Sequence, residues 1–320
     1  MTDQKQFQDA DPLVCVIVLN YNGRRHLEYS LPSIRETDYD HLQVIVVDNA
    51  STDGSLEYVR EEFPDMTLVS SPQNLGWAGG NNLGIRHARR LGADFVALAN
   101  NDIRVDSRWI AGAVEVAKDD PRIGIVGFRI LEPQEPGDTR TFQRAVAEWQ
   151  YLEYAPTRTV DGMAMLIRMD TLTQVGPIDE GFFAYAEDND LVLRVIEAGY
   201  SVIETNAPVW HHAQGTFGKR MLWAASLQMR NNLRLSLKHD SPTGVLYQWA
   251  RHFAKGCLPF VNVDLSNPIE RRLRPSNIFV NFGIWVYATA WNLWRLPATL
   301  RRRREDRRRV YAARQFLETL

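Results

Sequence analysis

Four short apolar runs, each followed by a polar cluster and a helix-like stretch, fill the first hundred residues of this 320-residue chain. The runs are Val14–Leu19, Val44–Val47, Met66–Val69 and Phe95–Ala99. Short runs rich in β-branched residues and bounded by turn residues are typical of strands buried in a parallel sheet. Their alternation with helices at this spacing predicts βα units, and therefore an α/β fold built on a doubly wound sheet.

Each apolar run ends in a polar cluster, and the four clusters occupy residues 20–22, 48–53, 74–82 and 100–102. A single cluster would be explained by turn formation, because Asn, Asp, Ser and Gly are the residues that turns use. In doubly wound sheets, however, ligands bind beyond the carboxyl ends of the strands. Four polar clusters on one predicted edge therefore indicate a ligand site.

A pair of adjacent carboxylates, Glu187 and Asp188, opens a later helical segment that ends at Gly199. Carboxylates at a helix N-terminus are held ionised by free backbone N–H groups and by the positive end of the helix dipole. An ionised carboxylate can act as a general base toward an alcohol. An acidic cap on a surface helix is the alternative, and the polar clusters upstream favour the catalytic interpretation. Farther along, Arg194 follows Asp190 by four residues, a spacing that favours an ion pair.

In order and spacing, these segments resemble the family 2 glycosyltransferases, which have the GT-A fold. The resemblance covers roughly residues 12–220, and within the family it is greatest to bacterial rhamnosyltransferase-like members. It implies a Rossmann-like central sheet and transfer of a sugar from a nucleoside diphosphate donor to an acceptor hydroxyl, with inversion at the anomeric carbon. The segments that carry the resemblance are Val14–Asn22, Val44–Gly54, Asn74–Gly76 with Gly79 and Asn82, Asn100–Asp102, and Val175–Glu180 followed by Glu187 and Asp188.

The resemblance assigns the nucleotide to the four polar clusters. Asp48 would accept a hydrogen bond from a pyrimidine imide N–H group. Asp53 would frame the base and ribose, although a cap on the helix that starts near Gly54 is an equally open role. Glycines near the ribose and diphosphate would let the backbone approach the ligand closely. The predicted nucleotide-binding residues are Asn20, Asn22, Asp48, Asn49, Asp53, Asn74, Gly76, Gly79, Asn82 and Asn101.

The metal prediction depends on Asp102. A departing diphosphate must be neutralised, and Mg²⁺ or Mn²⁺ with hard oxygen ligands does this. The family motif is Asp-x-Asp, whereas this chain has Asn100 in the first position, so one carboxylate remains. The family commonly adds a histidine, here His211 or His212. Only one of the two should reach the site because neighbouring strand residues point to opposite faces, and the spacing to the glycines of segment 215–218 favours His211.

The resemblance also assigns the catalytic groups. Asp188 would deprotonate the acceptor hydroxyl as it attacks the anomeric carbon from the face opposite the diphosphate, and Glu187 would orient Asp188 or the acceptor. Asp161, Gly162 and Met163 match the family segment that lines the sugar and acceptor pocket. One base is sufficient for a single displacement, and the sequence shows no separate nucleophile.

The last third of the chain is helical rather than alternating. Residues 277–300 are rich in apolar and aromatic residues, but interruptions leave them short of the roughly 20 apolar residues of a membrane-spanning helix. They suit a helix lying in a membrane interface, with Trp285, Trp291 and Trp294 exposed together. Residues 295–320 then carry nine arginines and three acids, in a chain whose net charge is −2.

This basic segment predicts contact with an anionic membrane surface. A homodimer interface and a solvated run of charge are the alternatives. We expect a disordered segment at 1–11, a catalytic domain at 12–240 and a helical, basic extension at 241–320. The polar start lacks the apolar core of a signal peptide, and two cysteines give no disulfide framework. The expected location is therefore the cytoplasmic face of the plasma membrane.

Other functional classes are less compatible with the sequence. A nicotinamide oxidoreductase would have a Gly-x-Gly-x-x-Gly turn after the first strand, where this chain has Asn20–Gly23. A nucleotidyltransferase would need a glycine loop with lysine. A membrane-binding module without catalysis would be expected to lose Asp188. The acidic balance of the chain before residue 295 argues against a nucleic-acid partner. We expect a rhamnose-like sugar to pass from a dTDP- or UDP-linked donor to a glycan or lipid-linked acceptor, in cell-surface polysaccharide synthesis. A UDP-hexose or UDP-N-acetylhexosamine transferase is the alternative.

Overall fold

A mixed β-sheet forms the centre of the structure, a computed structural model that describes residues 11–133, 138–212, 221–257 and 277–318. Its strands are β1 Val14–Asn20, β2 Leu42–Asp48, β3 Thr67–Ser70, β4 Phe95–Asn100, β5 Ile103–Val105, β6 Ile123–Leu131, β7 Tyr154–Pro156, β8 Ala164–Arg168 and β9 Ser201–His211. The helices are α1 Arg24–Arg35, α2 Ser55–Glu62, α3 Gly76–Leu91, α4 Trp109–Asp119, α5 Arg140–Glu148, α6 Met169–Val175, α7 Glu187–Glu197, α8 Met221–His239, α9 Pro242–Cys257 and α10 Ile278–Leu317.

The predicted βα alternation is present in the first four strands. They lie side by side in the order β3-β2-β1-β4, and each neighbouring pair is parallel. Their carboxyl ends, and the polar clusters that follow them, therefore share one edge of the sheet. This edge is called the ligand edge below.

Beyond β4 the sheet is mixed, which corrects the expectation of a simple doubly wound sheet. Strand β8 runs antiparallel between β4 and β6, and β9 pairs in parallel with β6. An antiparallel strand begins where its parallel neighbours end. The residues just before β8 consequently lie at the ligand edge, where the Asn100 backbone N–H donates to the Met163 carbonyl at 2.9 Å.

Two hydrophobic layers cover the sheet, one on each face. Alternate residues of β1 point to opposite layers, as the two-residue period of a strand requires: Val16 belongs to one layer and Ile17 to the other. The layer that holds Ile17 also includes Val310, Ala313 and Leu317 from the end of α10. The C-terminal helix is therefore part of the core.

Helix α10 is one continuous helix of 40 residues, about 60 Å long at 1.5 Å per residue. The expectation that Trp285, Trp291 and Trp294 are exposed together is wrong for two of them. The Trp285 ring packs 4.7 Å from the Trp249 ring, and the Arg230 guanidinium lies 4.3 Å from the Trp291 ring, whereas Trp294 is 73% exposed. These two rings are partly covered because the side of α10 that carries them packs along α8 and α9.

The basic segment is likewise more than a solvated run of charge. The Arg303 guanidinium donates to the carbonyls of Leu237 and Asp240, each at 2.7 Å, and Arg302 pairs with Asp306 at 3.0 Å. No helix among the described residues combines enough length and apolar character to cross a membrane. The predicted boundary at residue 240 falls between α8 and α9 and stays a prediction. The expected disorder at 1–11 concerns a segment that, except for its last residue, lies outside the described residues.

Candidate active site

The polar clusters predicted to meet at the ligand edge do meet there. The Asn20 amide donates to Ser51 at 3.1 Å and accepts a hydrogen bond from Asn101 at 2.6 Å. The Asn49 amide donates to Asn74 at 3.1 Å. These bonds join all four clusters into one polar surface.

Asp48 and Asp53 occupy different positions in this surface. Asp48 is buried at the end of β2, and one of its oxygens accepts from the backbone N–H of Ser51 at 3.2 Å. Asp53 accepts from the backbone of Arg24 at 2.8 Å and of Ser55 at 3.2 Å, so it ties together the first turns of α1 and α2. Burial would raise the pKa of Asp53, but the hydrogen bonds from Ser55 and Arg24 outweigh it and lower that pKa. The N-cap position of α2 is Gly54, so Asp53 lies one residue before it and accepts from the first N–H group of each helix. Asn22 accepts from the Thr52 backbone at 2.7 Å.

The third cluster differs from the loop that the sequence suggested. Helix α3 begins at Gly76, so Gly79 and Asn82 belong to its first turns. Gly76 has φ +71°, and a Cβ atom there would lie 2.4 Å from the carbonyl oxygen of Phe183. The Gly76 N–H donates to the Asn74 side chain at 2.8 Å, so this amide is already bonded within the protein.

Asn82 is a structural residue in this arrangement. It is buried, and its amide donates to the carbonyl of Ile178 and to the Glu180 carboxylate, each at 2.9 Å. Its oxygen accepts from the Ile178 backbone at 3.2 Å. These contacts hold segment 178–180 against α3.

Asp102 and His211 form the metal-compatible part of the edge. Strand β5 pairs with β9 so that Ile103 lies opposite His211, which places the His211 Nε2 atom 3.4 Å from Asp102 Oδ2. The other oxygen, Oδ1, is buried without a hydrogen-bond partner among the described residues. A free carboxylate oxygen beside an imidazole nitrogen is a donor set that Mg²⁺ or Mn²⁺ can use. Glu132, which the sequence did not single out, lies 3.7 Å from His211 Nδ1.

His212 is placed differently from its neighbour. Its ring packs 5.2 Å from the His26 ring and 6.0 Å from the Tyr29 ring. Burial and the nearby His26 lower the pKa of His212, whereas for His211 the hydrogen bond and charge of Asp102 outweigh burial and raise the pKa. The preference for His211 over His212 agrees with this geometry, although segment 215–218 lies outside the described residues.

Asn100, which replaces the first aspartate of the family motif, is already engaged. Its side-chain oxygen accepts a hydrogen bond from the Trp77 indole at 2.9 Å. Trp77 is half-buried and also borders Gly162. The pair connects the end of β4 with the beginning of α3.

The carboxylates at the start of α7 meet the segment before β8. The Gly162 backbone N–H donates to Asp188 Oδ2 at 3.2 Å, and the Asn189 N–H donates to the other oxygen at 2.7 Å. A Cβ atom at Gly162 would lie 3.0 Å from Asp188 Oδ2 and 3.2 Å from the Trp77 ring. A larger residue at this position would therefore push against the carboxylate or the Trp77 ring.

Burial dominates the acid–base properties of this group. It raises the pKa of Asp188, with partial compensation by the hydrogen bonds from Asn189 and Gly162. Burial, assisted by the charge of Asp188, raises the pKa of Glu187 well above its usual range. The same two effects raise the pKa of Asp161 to about 6. Desolvation thus opposes the stabilisation of the ionised carboxylates that was expected from the helix N-terminus, and it raises the pKa of both.

The structure also contains a buried ionic cluster that the sequence did not reveal. The carboxylates of Asp179, Asp190 and Asp306 lie within metal-binding distance of one another. The Lys238 ammonium occupies the space between them, at 2.8 Å, 2.6 Å and 2.8 Å respectively. A lysine thus supplies the positive charge there, in addition to the predicted pair of Asp190 with Arg194 at 3.0 Å.

Comparisons with known proteins are consistent with this site. Residues 15–181 match the family model described as Glycosyl transferase family 2. An N-acetylglucosaminyl-diphospho-decaprenol L-rhamnosyltransferase of Mycobacterium tuberculosis is 28% identical over 237 residues, 64% of this chain and 77% of the relative. A galactofuranosyltransferase of Mycolicibacterium smegmatis is 27% identical over 201 residues, 58% of this chain and 66% of the relative.

Solved structures show the same fold. A mannosyltransferase from Pyrobaculum calidifontis, in complex with GDP-Man and Mn²⁺, superposes with a TM-score of 0.57 at 22% identity, over 89% of this chain and 88% of that one. GalNAc-T7 with UDP, GalNAc and Mn²⁺ gives a TM-score of 0.61 at 13% identity, over 89% of this chain and 58% of the other. The chain therefore belongs to glycosyltransferase family 2 and has the GT-A fold.

Proposed function

We propose that this glycosyltransferase moves a rhamnose-like sugar from a dTDP- or UDP-linked donor to a hydroxyl of a glycan or lipid-linked acceptor, with inversion, in cell-surface polysaccharide synthesis. The observation that carries the proposal is the placement of Asp102 with His211 and of Asp188 on one edge, linked by the hydrogen bond between Asn100 and Met163. The name of the mycobacterial relative specifies L-rhamnose and a diphospho-decaprenol acceptor. A UDP-hexose or UDP-N-acetylhexosamine donor is the second candidate, favoured by the UDP and GalNAc of one structural neighbour.

The donor half of the site would consist of the polar surface and the metal-compatible pair. Asp48, with Asn20, Asn49 and Asn101 around it, would bind the nucleoside. Asp102 and His211 would hold Mg²⁺ or Mn²⁺, which when bound neutralises the charge of the diphosphate leaving group. The free Oδ1 atom of Asp102 supports this assignment.

The acceptor half would be formed by Asp188 and its neighbours. A bond forms between the acceptor oxygen and the anomeric carbon, the bond from that carbon to the diphosphate breaks, and the hydroxyl proton passes to Asp188. The backbone amides of Gly162 and Asn189 hold the carboxylate in place during this transfer. Burial and the charge of Asp188 raise the pKa of Glu187, which favours its protonated form beside an ionised Asp188.

The exposed face of α10 supports a membrane proposal on a different surface from the one the sequence suggested. In the first half of α10, exposed apolar side chains recur at helical spacing along one face. In the second half of the helix, arginines lie on the same face. This face is called the apolar–basic face and consists of Phe279, Phe282, Val286, Leu293, Arg304 and Arg308. We propose that it binds the anionic cytoplasmic surface of the plasma membrane, since aromatic side chains insert at the interface and arginines attract anionic lipid.

Replacing Asp188 with Asn should abolish transfer while leaving nucleotide affinity nearly unchanged, because only the proton acceptor is lost. Loss of a general base costs ~10²–10⁴-fold in rate. In the wild type, the raised pKa of Asp188 should place the acidic limb of the rate profile above the ordinary value of about 4. Turnover of dTDP- and UDP-sugars would be measured with Asp170→Asn, an exposed site, as the control. Near-normal turnover by Asp188→Asn would move the base elsewhere.

Asp102 should carry the metal dependence of donor binding. Asp102→Ala should weaken UDP or dTDP binding by about tenfold or more in Mn²⁺, as expected when a metal ligand is lost, but change it little in chelator. Calorimetric titration of the nucleotide in both conditions measures this directly, with exposed Asp119→Ala as the matched control. An equal loss of affinity with and without metal would show that Asp102 is structural.

The membrane proposal predicts that a variant with Phe279→Glu and Leu293→Glu no longer floats with anionic liposomes, while hydrolysis of the donor is retained. Wild-type binding should weaken as salt is raised, because the attraction acts within about 8 Å at physiological ionic strength. Tyr151→Glu, at a residue 79% exposed outside this helix, is the control. Failure of the wild type to bind at low salt overturns the proposal, and a dimer that dissociates in the variant would assign the face to a homodimer.

A further inference from the structure

The turn directly before the catalytic helix has a strained backbone. Phe183, Tyr185 and Ala186 have φ angles of 70°, 72° and 68°, in the left-handed region that residues other than glycine rarely adopt. Ala186 immediately precedes α7, so its conformation sets the direction in which Glu187 and Asp188 leave the turn. Such a backbone persists only where surrounding contacts hold it.

One side chain supplies most of that restraint. Asn231 of α8 is fully buried, and its amide nitrogen lies 2.9 Å, 2.6 Å and 2.8 Å from the carbonyl oxygens of Phe182, Ala184 and Tyr185. The amide has two protons, so three carbonyls share them. A single residue therefore bonds to the turn before its first strained position and again just before Ala186.

Asn231 is itself fixed by a neighbouring cation. Arg230 Nε donates to the Asn231 oxygen at 2.9 Å, and its Nη2 donates to the Phe182 carbonyl at 2.6 Å. The Trp291 ring lies beneath this guanidinium, and the Asn292 amide donates to the Arg230 carbonyl at 2.8 Å. Helix α10 thus holds Arg230 of α8 in place through Trp291 and Asn292.

Helix α8 also holds the catalytic helix just beyond Asp188. The Asp190 carboxylate accepts from His239 at 2.9 Å in addition to its contact with Lys238. The cations around it, Arg194 first among them, overcome burial and keep the pKa of Asp190 low. Helix α8 therefore contacts the chain on both sides of Asp188. The Asn231 amide bonds to the turn before it, and Lys238 and His239 pair with Asp190 after it.

We propose that Asn231 is a positioning residue for the reaction: it holds the strained 182–186 turn so that the Asp188 carboxylate lies against Gly162 and faces the acceptor. This inference rests on the proposed role of Asp188 as the base. Without the Asn231 amide, Tyr185 and Ala186 relax toward ordinary φ values, and α7 begins in a different direction. The donor half of the site is built on β1, β2, β4, β5 and β9, and Asn231 bonds to none of these strands, so donor affinity stays nearly unchanged.

The test compares Asn231→Ala with the wild type, using the dTDP- or UDP-sugar that gives turnover. We expect kcat to fall at least tenfold, with the Kd for the nucleotide within twofold of the wild-type value. Adding Ala186→Gly should recover several-fold of the lost kcat, because glycine adopts positive φ without strain. Asn206→Ala is the matched control, since that amide also bonds several partners, including Trp149 and Tyr151. It should lower the melting temperature and leave kcat unchanged.

Two outcomes overturn the inference. The first is an unchanged kcat in Asn231→Ala. The second is a fall in kcat that only matches the fraction of unfolded protein and is not rescued by Ala186→Gly. If Asn231→Ala does not fold, Arg230→Lys removes the guanidinium that orients Asn231, and the same loss and rescue are expected. Asp188→Asn separates this inference from the proposed function. Full activity of Asp188→Asn contradicts the function, whereas an inactive Asp188→Asn beside a fully active Asn231→Ala contradicts the positioning role alone.

Discussion

The hydrogen bond from the Gly162 backbone to the Asp188 carboxylate is the contact on which the site depends. It joins the start of α7 to the start of β8, and a Cβ atom at Gly162 would lie only 3.0 Å from the carboxylate. The next residue, Met163, bonds to Asn100 at the end of β4, two residues before Asp102. The antiparallel course of β8 makes this possible, because its first residues lie where the parallel strands end. One short segment therefore sets the separation between Asp188, the proposed base, and the metal-compatible pair.

Two carboxylates in the first turn of α7 have opposite pKa shifts, which shows how strongly local surroundings outweigh the helix dipole. Within the described part of the chain, Asp188 accepts from backbone amides and forms no ion pair with a cation, and burial raises its pKa. Asp190, fully buried two residues later, is surrounded by Arg194, Lys238 and His239, and its pKa is lowered. Asp190 anchors the helix to α8 through Lys238 and His239, while the raised pKa of Asp188 suits the proposed role as a proton acceptor.

The sequence predicted those features whose signals are local. Strands such as Val14–Asn20 carry their own apolar pattern, and the polar clusters mark the strand ends, so the α/β class and the ligand edge followed. The antiparallel pairing of β8 was missed because strand order depends on contacts far apart in the chain. Lys238 and Asp306 are 68 positions apart and meet only through the packing of α8 and α10. The same packing leaves Trp285 and Trp291 half-buried, although composition alone had suggested both for a membrane surface.

The central claim is that one base, Asp188, acts opposite a diphosphate held near Asp102 and His211, in a single displacement. The anomeric configuration of the transferred sugar tests it most directly. The product would be made with a dTDP- or UDP-sugar of known configuration, and its anomeric centre assigned by NMR before any equilibration. The account predicts a configuration opposite to that of the donor. Retention of the donor configuration would require a second displacement or a front-face route, and would contradict the account.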